Sequence, residues 1–234
     1  MELPTFDTPP AKRIKAPMRP QSCKAKGRRL QQFCATALKT AFPFLQGNDV
    51  RSISMGAAGD DLILSPAALA VLPYNFEMKN VESLSLWSTL EQVLRRYYLQ
   101  DQGVATYPCV VLKRNHTEPV ALIPLGHLLN RMAGNPVVHP MLTTTHLTLC
   151  WEHLAVHCPW AQSFAVLCHA KSTLNFWATY DKNTLLLFNR GDPNQPIFMA
   201  LPFALLVQFL VTSYQMDATL PGLAPNTQNA CWKP

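Results

Sequence analysis

Apolar residues recur along this chain at two different spacings, and the switches between them mark its elements. Over residues 30–46, Leu30, Phe33, Ala37 and Ala41 repeat at helical spacing. They predict a short amphipathic helix, closed by Pro43 and Gly47. Residues 52–55 and 62–64 then read as short strands around a turn over 56–61. Across residues 81–100, Leu84, Trp87, Leu90 or Glu91, Leu94 and Tyr98 return every three or four positions and predict a second helix.

A recurring unit follows. Residues 109–132 read as strand, polar turn, strand, proline, helix, and residues 184–211 read the same way. The two align from Val111-Leu112-Lys113-Arg114-Asn115 with Leu187-Phe188-Asn189-Arg190 through to helices starting near Leu125 and Phe203. Pro124 and Pro202 sit near those starts, where a missing amide hydrogen costs little. Residues 61–72 form a shorter third copy, again strand, proline, helix. The expected fold class is therefore α+β, with antiparallel sheet built from repeated hairpin–helix (ββα) units.

Between the two longer copies, residues 164–169 and 174–180 predict two further strands, and 181–183 turn directly into the strand at 184–188. The C-terminal third then becomes a four-strand antiparallel meander followed by a helix. This ββββα order resembles the Whirly and PUR-type families of single-stranded nucleic-acid binders. The resemblance is architectural and covers about 50 residues. It implies a sheet that offers aromatic and basic side chains to an unpaired strand, with Trp177, Tyr180, Lys182, Phe188 and Arg190 in that part.

Charge divides the chain. Residues 1–29 hold eight basic groups, Lys12, Arg13, Lys15, Arg19, Lys24, Lys26, Arg28 and Arg29, against Glu2 and Asp7, and so carry the whole net charge of +6. The remaining twelve basic and twelve acidic residues cancel. Residues 9–17, Pro-Pro-Ala-Lys-Arg-Ile-Lys-Ala-Pro, look like a monopartite nuclear import signal, a type that lies extended in the groove of importin-α. Lys24, Lys26, Arg28 and Arg29 follow at a distance that also fits the bipartite form. Prolines and like-charge repulsion favour an extended, disordered arm over 1–29, and basic runs also suit phosphate contact. The globular part is expected over 30–219 and a flexible tail, with Trp232 near its end, over 220–234.

No apolar leader opens the chain, and seven irregularly spaced cysteines suggest free thiols in a reducing compartment. The apolar run at 197–211 is interrupted by Pro202 and Gln208 and is too short to span a bilayer, so no membrane association is expected. A candidate zinc site is His146, Cys150, His153 and His157, which would share one stripe of a helix but not one face of a strand. No cofactor is otherwise implied. Cys158 beside His157, and Cys168 beside His169, are sequence neighbours, and because neighbours point in different directions their adjacency is not evidence of a nucleophile–base pair. No Gly-rich phosphate loop is present, and the paired acids Asp60 and Asp61 fall in a turn.

Together these features predict a non-enzymatic nuclear protein associated with nucleic acid or its packaging and expression, in the style of a small viral accessory protein in the host nucleus. Its partners would be importin-α and nucleic acid, the latter mainly through the arm. The alternative is a nuclear interaction adaptor or assembly component, whose neutral surface holds a protein partner or a second copy of itself.

Overall fold

The computed structural model describes residues 20–53, 59–99, 106–133, 163–168, 176–189 and 196–219. The fold is α+β, with a two-stranded antiparallel sheet and a six-stranded mixed sheet. Strands β1 (Val50–Ser52) and β2 (Leu62–Leu64) form the small sheet. The large one runs in the order β3 (Tyr74–Asn80), β4 (Tyr107–Lys113), β5 (Val120–Pro124), β8 (Phe198–Pro202), β7 (Thr184–Asn189), β6 (Ser163–Cys168). The helices are α1 (Pro20–Ala41), α2 (Pro66–Val71), α3 (Leu86–Leu99), α4 (Leu125–Ala133), α5 (Phe176–Thr179) and α6 (Phe203–Thr219).

Each half of the large sheet runs strand, helix, strand, strand, helix. In the first half β3 and β4 are parallel and β4 and β5 antiparallel. In the second, β6 and β7 are parallel and β7 and β8 antiparallel. The halves meet where β5 pairs antiparallel with β8, from Val120 opposite Pro202 to Pro124 opposite Phe198. A parallel pair needs a connection that crosses back over the sheet, and those connections put α3 and α5 on one face. Helices α1, α2, α4 and α6 cover the other.

Both faces of the central strands are buried in consequence. Cys109, Val111, Ala121, Ile123, Met199 and Leu201 pack under α1, α4 and α6. The alternate residues Val110, Leu112, Val120, Leu122, Phe198 and Ala200 pack under α3 and α5. Strands covered on both sides read as continuous apolar runs rather than alternating ones, which is how 109–112, 120–123 and 197–201 read.

Several expectations are corrected. Residues 20–29, expected within the disordered arm, form the first turns of α1. No side chain over 22–29 is buried, so no apolar stripe announces these turns. Their helix is propagated outward from the buried stretch that follows, starting at Pro20, a residue well suited to a first helical turn. That buried stripe is Leu30, Cys34, Leu38 and Phe42, while the expected Phe33 is about half exposed, at 51%. Helix α3 begins at Leu86 rather than 81, because the amide of Val81 donates to Lys113 O at 2.9 Å and prolongs the β3–β4 ladder. It buries Leu86, Thr89, Leu90, Val93 and Leu94, whereas Tyr98 is exposed.

The four-strand meander is not formed. Residues 174–180, read as a strand from their aromatic content, instead contain the short helix α5, closed by Tyr180 N donating to Phe176 O at 2.8 Å. The parallel pairing of β6 with β7 requires a crossover at that point, and a second antiparallel strand cannot supply one.

Candidate functional site

One end of the large sheet collects cationic side chains from segments far apart in sequence. The pairings set Asn80 opposite Lys113, Val120 opposite Pro202 and Ser163 opposite Thr184, so these residues share that end. The β4–β5 turn projects from it. Thr117 Oγ1 holds this turn, donating to Arg114 O at 3.2 Å, and His116 takes a left-handed backbone with φ of 58°, a region His enters more readily than most residues. Lys113 Nζ donates to Thr117 O within the same turn.

The N-terminal turns of α1 dock on this turn. Lys26 Nζ donates to Asn115 Oδ1 at 2.9 Å, and Asn80 Nδ2 donates to Lys26 O at 3.2 Å. Lys24, Arg28 and Arg29 remain exposed on the same turns. On the other side of the β4–β5 turn, the Arg114 guanidinium lies over the Trp177 ring at 5.3 Å from its centroid, a cation–π contact. Tyr180 stacks on Phe176 at 5.4 Å with an interplanar angle of 15°, and exposed Lys182 follows. Lys26, Lys113, Arg114 and Lys182 thus lie at this end of the sheet, with Lys24, Arg28 and Arg29 exposed on the docked turns of α1 and the exposed acids Glu82, Glu118 and Asp181 near by. The Glu82 carboxylate is itself engaged, accepting from Asn115 N at 3.0 Å.

The structure treats the expected aromatic platform differently. Trp177 is 8% exposed and Phe188 1%, and both belong to the core between the sheet and the crossover helices. Tyr180 is half-buried, and Arg190 lies outside the described residues. An open sheet face for base stacking is therefore not present at Phe188, because the parallel topology covers both faces. Tyr180 and Lys182 instead reach the basic end from the loop before β7. Lys12, Arg13 and Lys15 lie outside the described residues. So do His146, Cys150, His153 and His157. Among the described residues, no group of three or more His, Cys, Asp or Glu side chains could hold a metal ion. Burial pushes the Cys34 thiol up to about 12 and that of Cys109 well above its ordinary value, so both stay protonated and unreactive.

A polar cluster at the outer edge of β3 was visible in sequence only as Asp60-Asp61. The Asp61 carboxylate accepts from Met78 N at 2.5 Å and Gln31 Nε2 at 2.6 Å, and its own amide donates to Phe76 O at 2.8 Å. These bonds occupy the edge of β3 that would otherwise template another strand. Glu77, only 6% exposed, is paired with Lys79 Nζ at 2.5 Å and with Arg96 Nη2. Arg96 also reaches Gly59 O at 2.8 Å and Asp60 Oδ1 at 3.5 Å. Asn75 Nδ2 donates to Asp60 Oδ2 at 2.7 Å.

Burial raises the Asp60 and Asp61 carboxyls above the ordinary 3.8, partly opposed by Arg96 for Asp60 and by the Met78 amide for Asp61. A cavity of about 340 Å³ adjoins, lined by Asp60, Leu62, Leu64, Tyr74, Asn75 and Thr106 among others. The Asp60 carboxylate in its wall already holds Asn75 and Arg96. The arrangement is a clamp on the sheet edge. No known protein family, curated protein or solved structure matches this chain.

Proposed function

We propose that this chain is a non-enzymatic nuclear protein that associates with nucleic acid, using the basic arm together with the basic end of the large sheet. The observation that carries the reading is the docking of Lys26 on Asn115, which brings the basic N-terminal turns of α1 to the β4–β5 turn that holds Arg114. A phosphate backbone attracts such a surface without regard to sequence, and each phosphate neutralised steepens the salt dependence of binding. The neutral remainder serves as scaffold. On this reading the body is an internal duplication of a strand–helix–hairpin–helix unit, with the β5–β8 pair as its seam, and the hairpin–helix similarity between 109–132 and 184–211 is its trace.

The test is binding of the full chain to single- and double-stranded oligonucleotides at several salt concentrations. Replacing Lys24, Arg28 and Arg29 by Gln should lower the log–log salt slope on duplex by about 0.9 for each phosphate that is no longer neutralised. An unchanged slope sinks the reading.

A second reading, the nuclear interaction adaptor or assembly component, draws on the covered sheet. With Trp177 and Phe188 buried, base stacking on strands is not on offer, and a neutral surface suits protein partners. That reading expects complexes that survive both high salt and removal of residues 1–29.

A further inference from the structure

We infer that folding withdraws the second basic cluster from nuclear import: Lys24, Lys26, Arg28 and Arg29 serve the folded surface, and import rests on Lys12, Arg13 and Lys15 alone. The inference depends on the import reading of the arm proposed above. A bipartite signal needs both clusters extended in one groove, yet residues 20–29 are helical. Ten helical residues span about 15 Å, whereas an extended chain of that length reaches about 33 Å. Two hydrogen bonds to remote segments, Asn115 with the Lys26 ammonium and Asn80 with its carbonyl, hold the helix at this point. The next turns are anchored by Leu30, Cys34 and Leu38, each no more than 2% exposed. These contacts hold the second cluster in a helix and oppose the extended form that the groove requires.

The commitment is nonetheless finely set. No acidic residue occupies the first turn of α1, and four cations in its N-terminal turns oppose the helix dipole. Gly27 sits among them and weakens the helix further. Because none of residues 22–29 is buried, this stretch can be unwound without opening the core.

The experiment uses the full chain fused to a carrier too large to diffuse through nuclear pores, scored by its initial rate of nuclear entry, which retention on nucleic acid inside does not alter. Changing Lys12, Arg13 and Lys15 to Ala should reduce the rate to that of the carrier alone. Changing Lys24, Lys26, Arg28 and Arg29 to Gln should leave the entry rate as in the unaltered chain. Adding Gly27→Pro to the first variant frees the second cluster and should restore part of the rate, with the unwinding of the helix followed by circular dichroism.

Loss of import in the Gln variant overturns the inference, as does a failure of Gly27→Pro to rescue once its helix is shown to have unwound. If both cluster variants still enter at the unaltered rate, the import reading of the arm falls and takes this inference with it. Oligonucleotide binding, measured separately on the same proteins, then still reports on the basic surface.

Discussion

In the N-terminal half of the large sheet the parallel strands β3 and β4 are bridged by α3, fourteen residues long, and in the C-terminal half β6 and β7 are bridged over α5, four residues long. Both bridges cover the same face. The first uses Leu86, Leu90, Val93 and Leu94 over Val110, Leu112, Val120 and Leu122. The second uses Phe176 and Trp177 over Leu186, Phe188, Phe198 and Ala200, with Phe176 and Trp177 edge to face at 4.9 Å and Phe176 5.8 Å from Phe188. Aromatic side chains bury more area per residue than aliphatic ones. Among the described residues the difference is one of distribution. Burial over this face is shared along a long helix in the first half and rests on Phe176 and Trp177, with half-buried Tyr180 beside them, in the second.

The sharpest way to break this comparison is a pair of truncations. Phe176→Ala should cost about 4 kcal/mol and Leu90→Ala about 3 kcal/mol, each read from urea unfolding. If Leu90→Ala costs as much as Phe176→Ala, the burial is not concentrated as described. The next effect probes the edge of β3. Arg96→Met leaves Glu77 with Lys79 as its remaining ionic partner, and should cost about 2 kcal/mol. That is less than the loss of a fully buried pair, because Arg96 is partly exposed and Lys79 persists.

A smaller effect tests the junction between the halves. Arg114→Ala removes the guanidinium from the Trp177 ring, which joins the β4–β5 turn to α5. It should cost about 1 kcal/mol in stability and lower the salt slope of duplex binding by about 0.9. Loss of stability with no change in slope would place Arg114 outside the phosphate-binding surface.

The smallest effect concerns pH. Burial raises Asp60 above 3.8, so its contribution to stability is fully present below 3.8 and is lost as pH rises through its higher folded value. Asp49 is shifted the other way by the Ser65 hydroxyl and the Gln46 amide, so its contribution is present above 3.8 and is lost as pH falls through its lowered folded value. Asp60→Asn should remove only the first dependence. The stability of the native chain relative to this variant should improve as pH falls from neutral toward 3.8, measured by urea midpoints across that range. A difference that does not vary with pH would show that Asp60 is not desolvated at the edge.

What the sequence determined by itself is local. The apolar runs at 109–112, 120–123 and 197–201 announce strands, and Pro124 and Pro202 announce the helices that follow, because chain stiffness and side-chain burial act over a few residues. The Asp60-Asp61 pair stands out in the sequence, though not as the clamp on β3. Tertiary structure alone decided which strands lie parallel, and with that whether residues 174–180 become a strand or a crossover helix. Runs buried on both faces carry no alternation to say which neighbour they face. The basic surface was decided in the same way. Lys26 meets Asn115 across 89 positions, and Arg114 meets Trp177 where the connection between the parallel strands β6 and β7 crosses the sheet. Charge density along the chain showed where the cations are. Which of them share a surface followed from the order of the strands, because distant segments meet only once the sheet has assembled.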